Sequence, residues 1–195
     1  MARKLAFQKE EVLHKAMQVF WKKGYESSSM EDLVKAMEIN RFSIYNSFGD
    51  KKALLIQSLA LYRDTVFAAI LAPLQQKRSA RDCLVAYFDT MSALLSAPSG
   101  SLGCLVQRTS HSEIASDPQV GRVLYSMLSD LKNALMRVVE NAIKEESLRG
   151  EQPPEQIVDF ILSQIQGLIL LRRFDKSLVS TDQQIQLLKE AVLRW

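Results

Sequence analysis

The sequence predicts an all-α protein: an N-terminal three-helix helix-turn-helix unit followed by a larger helical domain, about nine helices in total. Two observations carry this fold class. Apolar residues recur at i, i+3, i+4 and i+7 along most of the chain. The seven Gly and five Pro are few and sit mostly in the gaps between those periodic runs. With 195 residues and 47% hydrophobic content, the chain can bury one sizeable core or a small one plus a larger one. The division predicted is 1–50 and 51–195.

Val12, Leu13, Ala16, Met17, Phe20 and Trp21 form the apolar stripe of a first helix over roughly 5–23, ending near Gly24. Ser28 and Ser29 each stand three residues before an acid, Glu31 and Asp32, which is capping-box spacing. A short second helix with Leu33, Val34 and Met37 therefore begins there. Asn40 caps a third helix, whose buried side is Ile44, Phe48 and part of Tyr45. Asp50 caps a fourth, with a stripe from Leu54, Leu55 and Leu59 to about Leu71. The pattern breaks over 73–79. Leu84, Phe88, Met91 and Leu95 mark a fifth helix, SAPSGSLG (96–103) reads as a flexible linker, and a shorter helix over about 103–115 follows.

Pro118 suits the first turn of a long helix carrying Leu124, Leu128, Leu131, Leu135, Val138 and Ala142. RGEQPP (149–154) is a turn with a proline start. The helix over 154–174 is apolar on more than one face, through Ile157, Val158, Ile161, Leu162, Ile165, Leu168, Ile169, Leu170 and Leu171. Such a helix needs cover on two sides, by its own domain and by a partner chain. In the last helix, over 181–195, Ile185, Leu188, Val192 and Trp195 form a seam suited to another helix.

Net charge is +3, and its placement is uneven: residues 1–52 hold ten Lys/Arg against seven Asp/Glu, the rest fifteen of each. That points to a polyanion partner for the first quarter. No run reads as long enough for a transmembrane helix, and MARKLAFQKEEV lacks the apolar core of a signal peptide. Cys83 and Cys104 make no disulfide framework. A cytoplasmic protein with no membrane partner is expected. There is no Gly-rich phosphate loop and no metal-ligand cluster, and the two histidines have no nucleophile at a motif spacing. Neither an enzyme nor a cofactor is expected. Cys104 and His111 would lie about 10 Å apart along a continuous helix, too far to share one ion. His14 sits beside the first stripe and reads as solvated.

With Ile44 and Phe48 turned inward, the third helix presents Arg41, Phe42, Ser43, Asn46 and Ser47 outward near its N-terminus. Arg and Asn pair bidentately with guanine and adenine edges, Ser donates or accepts, and an apolar ring meets a thymine methyl. Lys51 and Lys52 extend the positive edge. A polar solvated face is the other reading of this composition. A helical adaptor whose N-terminal unit binds protein instead of DNA is the alternative function.

The span from Gly24 to Leu54 resembles the DNA-binding region of the TetR family of bacterial transcriptional repressors. The resemblance is carried by Gly24, Tyr25, Ser28, Ser29, Asp32, Leu33, Ala36, Ile39, Asn40, Ile44, Tyr45, Phe48, Lys51 and Leu54, preceded by Phe20 four residues before Gly24. It implies that Ser29 at the start of the second helix, with Tyr45 and Lys51, touches phosphates, and that Ser28 belongs to the DNA-binding set. Arg41, Phe42, Ser43 and Asn46 are implied to face the major groove of a double-stranded operator. Two departures stand out. Glu38 occupies the turn position where the family usually has Gly, at a cost of roughly 1 kcal/mol for a left-handed residue. Met37 and Val34 replace smaller residues.

The same resemblance implies a regulatory domain that binds a small-molecule inducer, and a homodimer formed through 154–174 and 181–195. Two recognition helices then read a near-palindromic operator. Candidate pocket walls are Phe67, Tyr87, Phe88, Met91, Tyr125, Met127 and Met136; the other reading of each is core packing. GCLVQRTSHSEIA (103–115) resembles a Gly-Cys-Leu motif in one branch of the family, through Gly103, Cys104, Leu105 and Glu113. In some members of that branch the cysteine senses electrophiles or oxidants. Here Cys104 is expected near a helix N-terminus that would lower its pKa, with Arg108 one turn on. The other reading is a small buried hydrophobe. Taken together, the sequence predicts a homodimeric, ligand-responsive repressor.

Overall fold

In a computed structural model, which describes residues 2–148 and 151–195, the chain is all helical, with nine helices and no strands among the described residues. They are α1 (Ala2–Lys23), α2 (Met30–Met37), α3 (Arg41–Phe48), α4 (Lys51–Gln75), α5 (Ala80–Ser96), α6 (Leu105–Ser110), α7 (Pro118–Lys144), α8 (Pro154–Phe174) and α9 (Thr181–Arg194). Two of the residues in the predicted 149–154 turn, Arg149 and Gly150, lie outside the described residues.

The chain forms two compact units, Met1–Val66 with Cys104–Met127 and Phe67–Gly103 with Leu128–Trp195. The sequence boundary at residue 50 falls inside the first unit. The reason is packing: the first half of α4 buries Leu54, Leu55 and Leu59, and packs on α1, while α6 packs on both α1 and α4.

In the first unit, α1 buries Ala16, Met17, Phe20 and Trp21, and packs across α2 and α4. Trp21 meets the ring of Tyr62 edge-on, 5.0 Å between centroids. The second unit is built around α5, which packs on α9; there Leu84, Tyr87, Phe88, Met91 and Leu95 face Ile185, Leu188 and Val192 in a common core. The seam of α9 is thus filled by a helix of its own chain. Asp182 in the first turn of α9 accepts from Ser92 and Ser96 of α5, at 2.6 and 2.5 Å. At the other end Trp195 packs against Phe160, 5.2 Å between centroids.

Three expectations change. Lys51–Gln75 is long and apolar enough by length and composition to cross a membrane, with a mean hydropathy of 1.4 over its best window. Its apolar residues Leu54, Leu55 and Leu59 in one unit, and Phe67, Ile70 and Leu74 in the other, are core. The helix also contains a π-helical turn over Arg63–Phe67 and a 3-10 end over Ala72–Gln75. The predicted helix over 103–115 is shorter, because it stops at Ser110 and a separate 3-10 turn forms over Glu113–Ser116.

The supposed linker is the third correction. Pro98–Leu102 is a 3-10 turn, and Gly100 is buried within it. A Cβ at Gly100 would run into the carbonyl oxygen of Leu95 and lie 2.8 Å from that of Leu94. The glycine permits close backbone approach, so the segment is packed structure. Gly100→Ala should therefore destabilise the protein by about 1–3 kcal/mol, the range for overpacking, read as a lowered midpoint in urea or thermal unfolding followed by circular dichroism.

Candidate nucleic-acid interface

The second and third helices are short, so their ends must be satisfied by side chains. Ser29 is the N-cap of α2: its hydroxyl accepts from the Asp32 N–H, and the Asp32 carboxylate accepts from the Ser29 N–H, both at 3.0 Å. Asn40 caps α3, its side-chain oxygen accepting from the Ser43 N–H at 2.8 Å. Asp50 caps α4 by accepting from the Ala53 N–H at 2.7 Å. Between α3 and α4 the chain turns at Gly49, with φ 83° and ψ −148°, a conformation essentially confined to glycine.

Ile44 and Phe48 are buried and anchor α3. Arg41, Phe42, Tyr45, Asn46 and Ser47 are exposed, and Ser43 is half-buried. Phe42 is 74% accessible. Tyr45 is 42% accessible, in keeping with the partial burial expected of it. Arg41 lies along Tyr45, its guanidinium 5.7 Å from the ring centroid and donating to the hydroxyl at 3.4 Å. One short helix therefore offers guanidinium, amide, hydroxyl and aromatic groups on one outward face, the set that reads base edges and touches phosphates.

Three predicted contacts look different in the structure. Ser28 is buried, and its hydroxyl donates to the Tyr25 carbonyl at 2.8 Å, so it does not belong to the outward surface; Ser29 does. Lys51 lies over the ring of Tyr25, 4.4 Å from the centroid, and burial pushes its pKa down. Lys52 donates to Asp117 at 2.9 Å, so the outward positive edge is shorter than the sequence implied. Sequence reasoning missed α1, whose lysines brace this unit. Lys23 donates to Asp32 at 2.6 Å, Lys15 to Glu38 at 2.7 Å, and Lys9 sits 5.2 Å from the ring centroid of Phe48. Their spacing along the α1 sequence carries no such signal.

The residues expected to sense a ligand separate. Tyr87, Phe88 and Met91 are buried in the core of the second unit, and the Tyr87 hydroxyl is enclosed with no hydrogen-bond partner. Tyr125 is 76% accessible, so it is not a wall of any core cavity. Its neighbour one turn on, Leu128, is exposed as well, because the buried stripe of α7 runs through Leu124, Met127, Leu131 and Leu135.

Cys104 stands at the N-cap position of α6 and receives a hydrogen bond from the Tyr62 hydroxyl at 3.7 Å. Its thiol pKa is raised, because burial outweighs the bonds from the Gln107 and Val106 backbone and from Tyr62. This is opposite to the lowering expected at a helix start. No group of three His, Cys, Asp or Glu capable of holding a metal ion occurs among the described residues.

A model of the bacterial regulatory proteins of the tetR family matches residues 12–57, and one of the tetracyclin repressor-like C-terminal domain matches 80–188. The chain is 27% identical over 151 residues to the uncharacterized HTH-type transcriptional regulator YezE of Bacillus subtilis, spanning 77% of this chain and 78% of that protein. It is 27% identical over 178 residues to the HTH-type transcriptional repressor ComR of Escherichia coli, spanning 88% and 82%. In fold it is similar to a cysteine mutant of the TetR family regulator CifR solved with operator DNA, with a TM-score of 0.80 and 24% identity over 95% of this chain and 96% of that one.

Two outcomes follow from these environments. Lys23 and the Ser29 N–H hold Asp32 at a pKa of about 2. A depressed carboxylate stabilises fully above its unfolded pKa near 3.9 and loses that contribution as pH falls through about 2. Asp32→Asn should remove this part of the acid dependence, seen as a flatter melting temperature between about pH 4 and pH 2. In Cys83→Ser protein, Cys104 should react with a disulfide reagent at neutral pH at least about tenfold more slowly when folded than in urea; equal rates would mean that its sulfur is open.

Proposed function

The chain belongs to the TetR family of bacterial regulatory proteins and is a DNA-binding transcriptional regulator; from that premise we propose a repressor that reads a near-palindromic operator as a homodimer. The observation that carries the reading is the outward face of α3, with Arg41, Phe42 and Asn46 exposed on a helix anchored by Ile44 and Phe48. Arg41 and Asn46 are the base readers, Phe42 the thymine-methyl contact, and Ser29 and Tyr45 the phosphate contacts. Ser43 lies at the edge of this set, and Lys51, held over the ring of Tyr25, stands beside it at the start of α4.

The dimer forms through 154–174 and 181–195. Support comes from Leu170, Leu171 and Phe174 at the end of α8, Leu178 beyond it and Leu187 on α9, all large, apolar and exposed. Large apolar residues left exposed on these two helices suit an association surface. Two copies give the paired half-site contacts that a single eight-residue helix cannot supply.

The regulatory signal is a small molecule bound among the residues around Tyr87, Phe88 and Met91. The unpartnered Tyr87 hydroxyl is the group that a polar ligand atom would satisfy. A ligand that binds one conformer better by about 1–3 kcal/mol shifts the population away from the spacing the operator needs. Cys104 responds to electrophiles only in a conformer that opens its sulfur. The protein acts in the cytoplasm.

The test is a footprint on DNA flanking the protein's own gene, where such repressors commonly act. A protected near-palindrome is expected. Arg41→Ala should weaken binding by about 1–3 kcal/mol and relax preference at one base pair per half-site. An equal loss on every sequence would make Arg41 a phosphate contact, and no protected site would remove the repressor reading.

A further inference from the structure

Glu38 closes α2 in the left-handed region, with φ 57° and ψ 31°, its N–H donating to the Val34 carbonyl at 3.0 Å. Side chains with a Cβ rarely adopt that conformation, and this residue is also anionic. Its carboxylate stands two residues before the N-cap of α3 and three before Arg41. A lone negative charge there would oppose the phosphates that the same helix must approach. The carboxylate is not alone. Lys15, on the fourth turn of α1, donates to its Oε2 at 2.7 Å. Lys15 is half-buried whereas the Glu38 side chain is largely exposed, so the lysine comes from the packed side and reaches out to the turn. The bond pushes the Lys15 pKa up and the Glu38 pKa down, so both stay charged across the neutral range.

We propose that Lys15 is a positioning residue for DNA recognition: by holding the Glu38 carboxylate it keeps the α2–α3 turn left-handed without a glycine and masks the charge that would face the phosphates. The ion pair does for this turn what glycine does by lacking a side chain. It also ties the angle of α3 to α1, which packs on both α2 and α4. Because the pair is exposed, added salt weakens it. The setting of α3 then depends on ionic strength beyond the dependence that phosphate contacts create. The inference rests on the DNA-binding reading above, and its test separates the two.

The experiment is a double-mutant cycle of Lys15→Ala and Glu38→Gly, reading affinity for the operator and for an unrelated duplex at two salt concentrations. Lys15→Ala alone should weaken operator binding about fivefold, the upper range for an exposed pair, and weaken the unrelated duplex less. Lys15→Arg should restore it. In the Glu38→Gly background, Lys15→Ala should cost nothing, and the salt slope of that background should be shallower than that of the wild type. Equal losses on both duplexes and in both backgrounds would make Lys15 a phosphate contact and overturn the proposal, as would no loss in either.

Hydrogen exchange in the DNA-free protein supplies an independent reading. The Glu38 amide should exchange faster in Lys15→Ala than in the wild type, with the melting temperature nearly unchanged. Unchanged exchange overturns the proposal whatever the DNA does. If the wild type prefers no operator but the exchange result holds, the DNA-binding reading fails while the latch stands.

Discussion

A helix of two turns cannot hold itself in water, because it makes few internal hydrogen bonds for the dihedrals it fixes. Everything about the DNA-binding end depends on how α3 escapes that limit. It buries Ile44 and Phe48 in the core, takes an N-cap from Asn40 and ends at Gly49, whose backbone conformation is essentially confined to glycine. Those commitments consume one side of the helix and both ends. What is left, Arg41, Phe42, Tyr45, Asn46 and Ser47, faces outward because no core remains to take it. The exposed face is thus the complement of the anchor.

Around this helix the basic residues divide into two groups. The excess of positive charge in the first quarter of the sequence looked like a footprint for a polyanion. Much of it is structural instead. Lys15 and Lys23 pair with acids of the turn and of α2, Lys52 pairs with Asp117, and Lys9 and Lys51 lie over the rings of Phe48 and Tyr25. Charge counted along a chain does not distinguish a lysine that meets phosphate from one that meets a carboxylate of its own fold. Arg41 on the exposed face of α3 is the better evidence, because its position follows from the anchor and not from a count.

The regulatory half shows the same difference between pattern and place. Helical periodicity identified the inner faces of α5, α8 and α9, whose residues Leu84, Phe88, Met91, Ile157, Ile161, Ile165, Ile185 and Leu188 are core of the second unit, while Leu170, Leu171, Phe174 and Leu187 stand exposed. It failed at Leu128 and Tyr125, which keep apolar or aromatic spacing yet stand exposed beside the buried stripe of α7. It also failed at Cys104, where proximity to a helix start suggested an acidic thiol and burial produces the reverse. In each case the sequence carried the spacing, whereas the outcome depended on which neighbour came to cover the side chain.

By itself the sequence determined most of the helices, their caps and the anchored side of α3, since each rests on contacts within four residues along the chain. Asn40 to Ser43, Ser29 to Asp32 and Asp50 to Ala53 are all three-residue bonds. The tertiary structure alone decided that Ser28 turns inward, that the 96–103 segment is packed, and that Glu38 is held by Lys15, 23 residues earlier. Local bonds are legible because spacing and residue type encode them directly. Contacts between distant segments depend on how helices pack, and one sequence read along its length carries no measure of that distance.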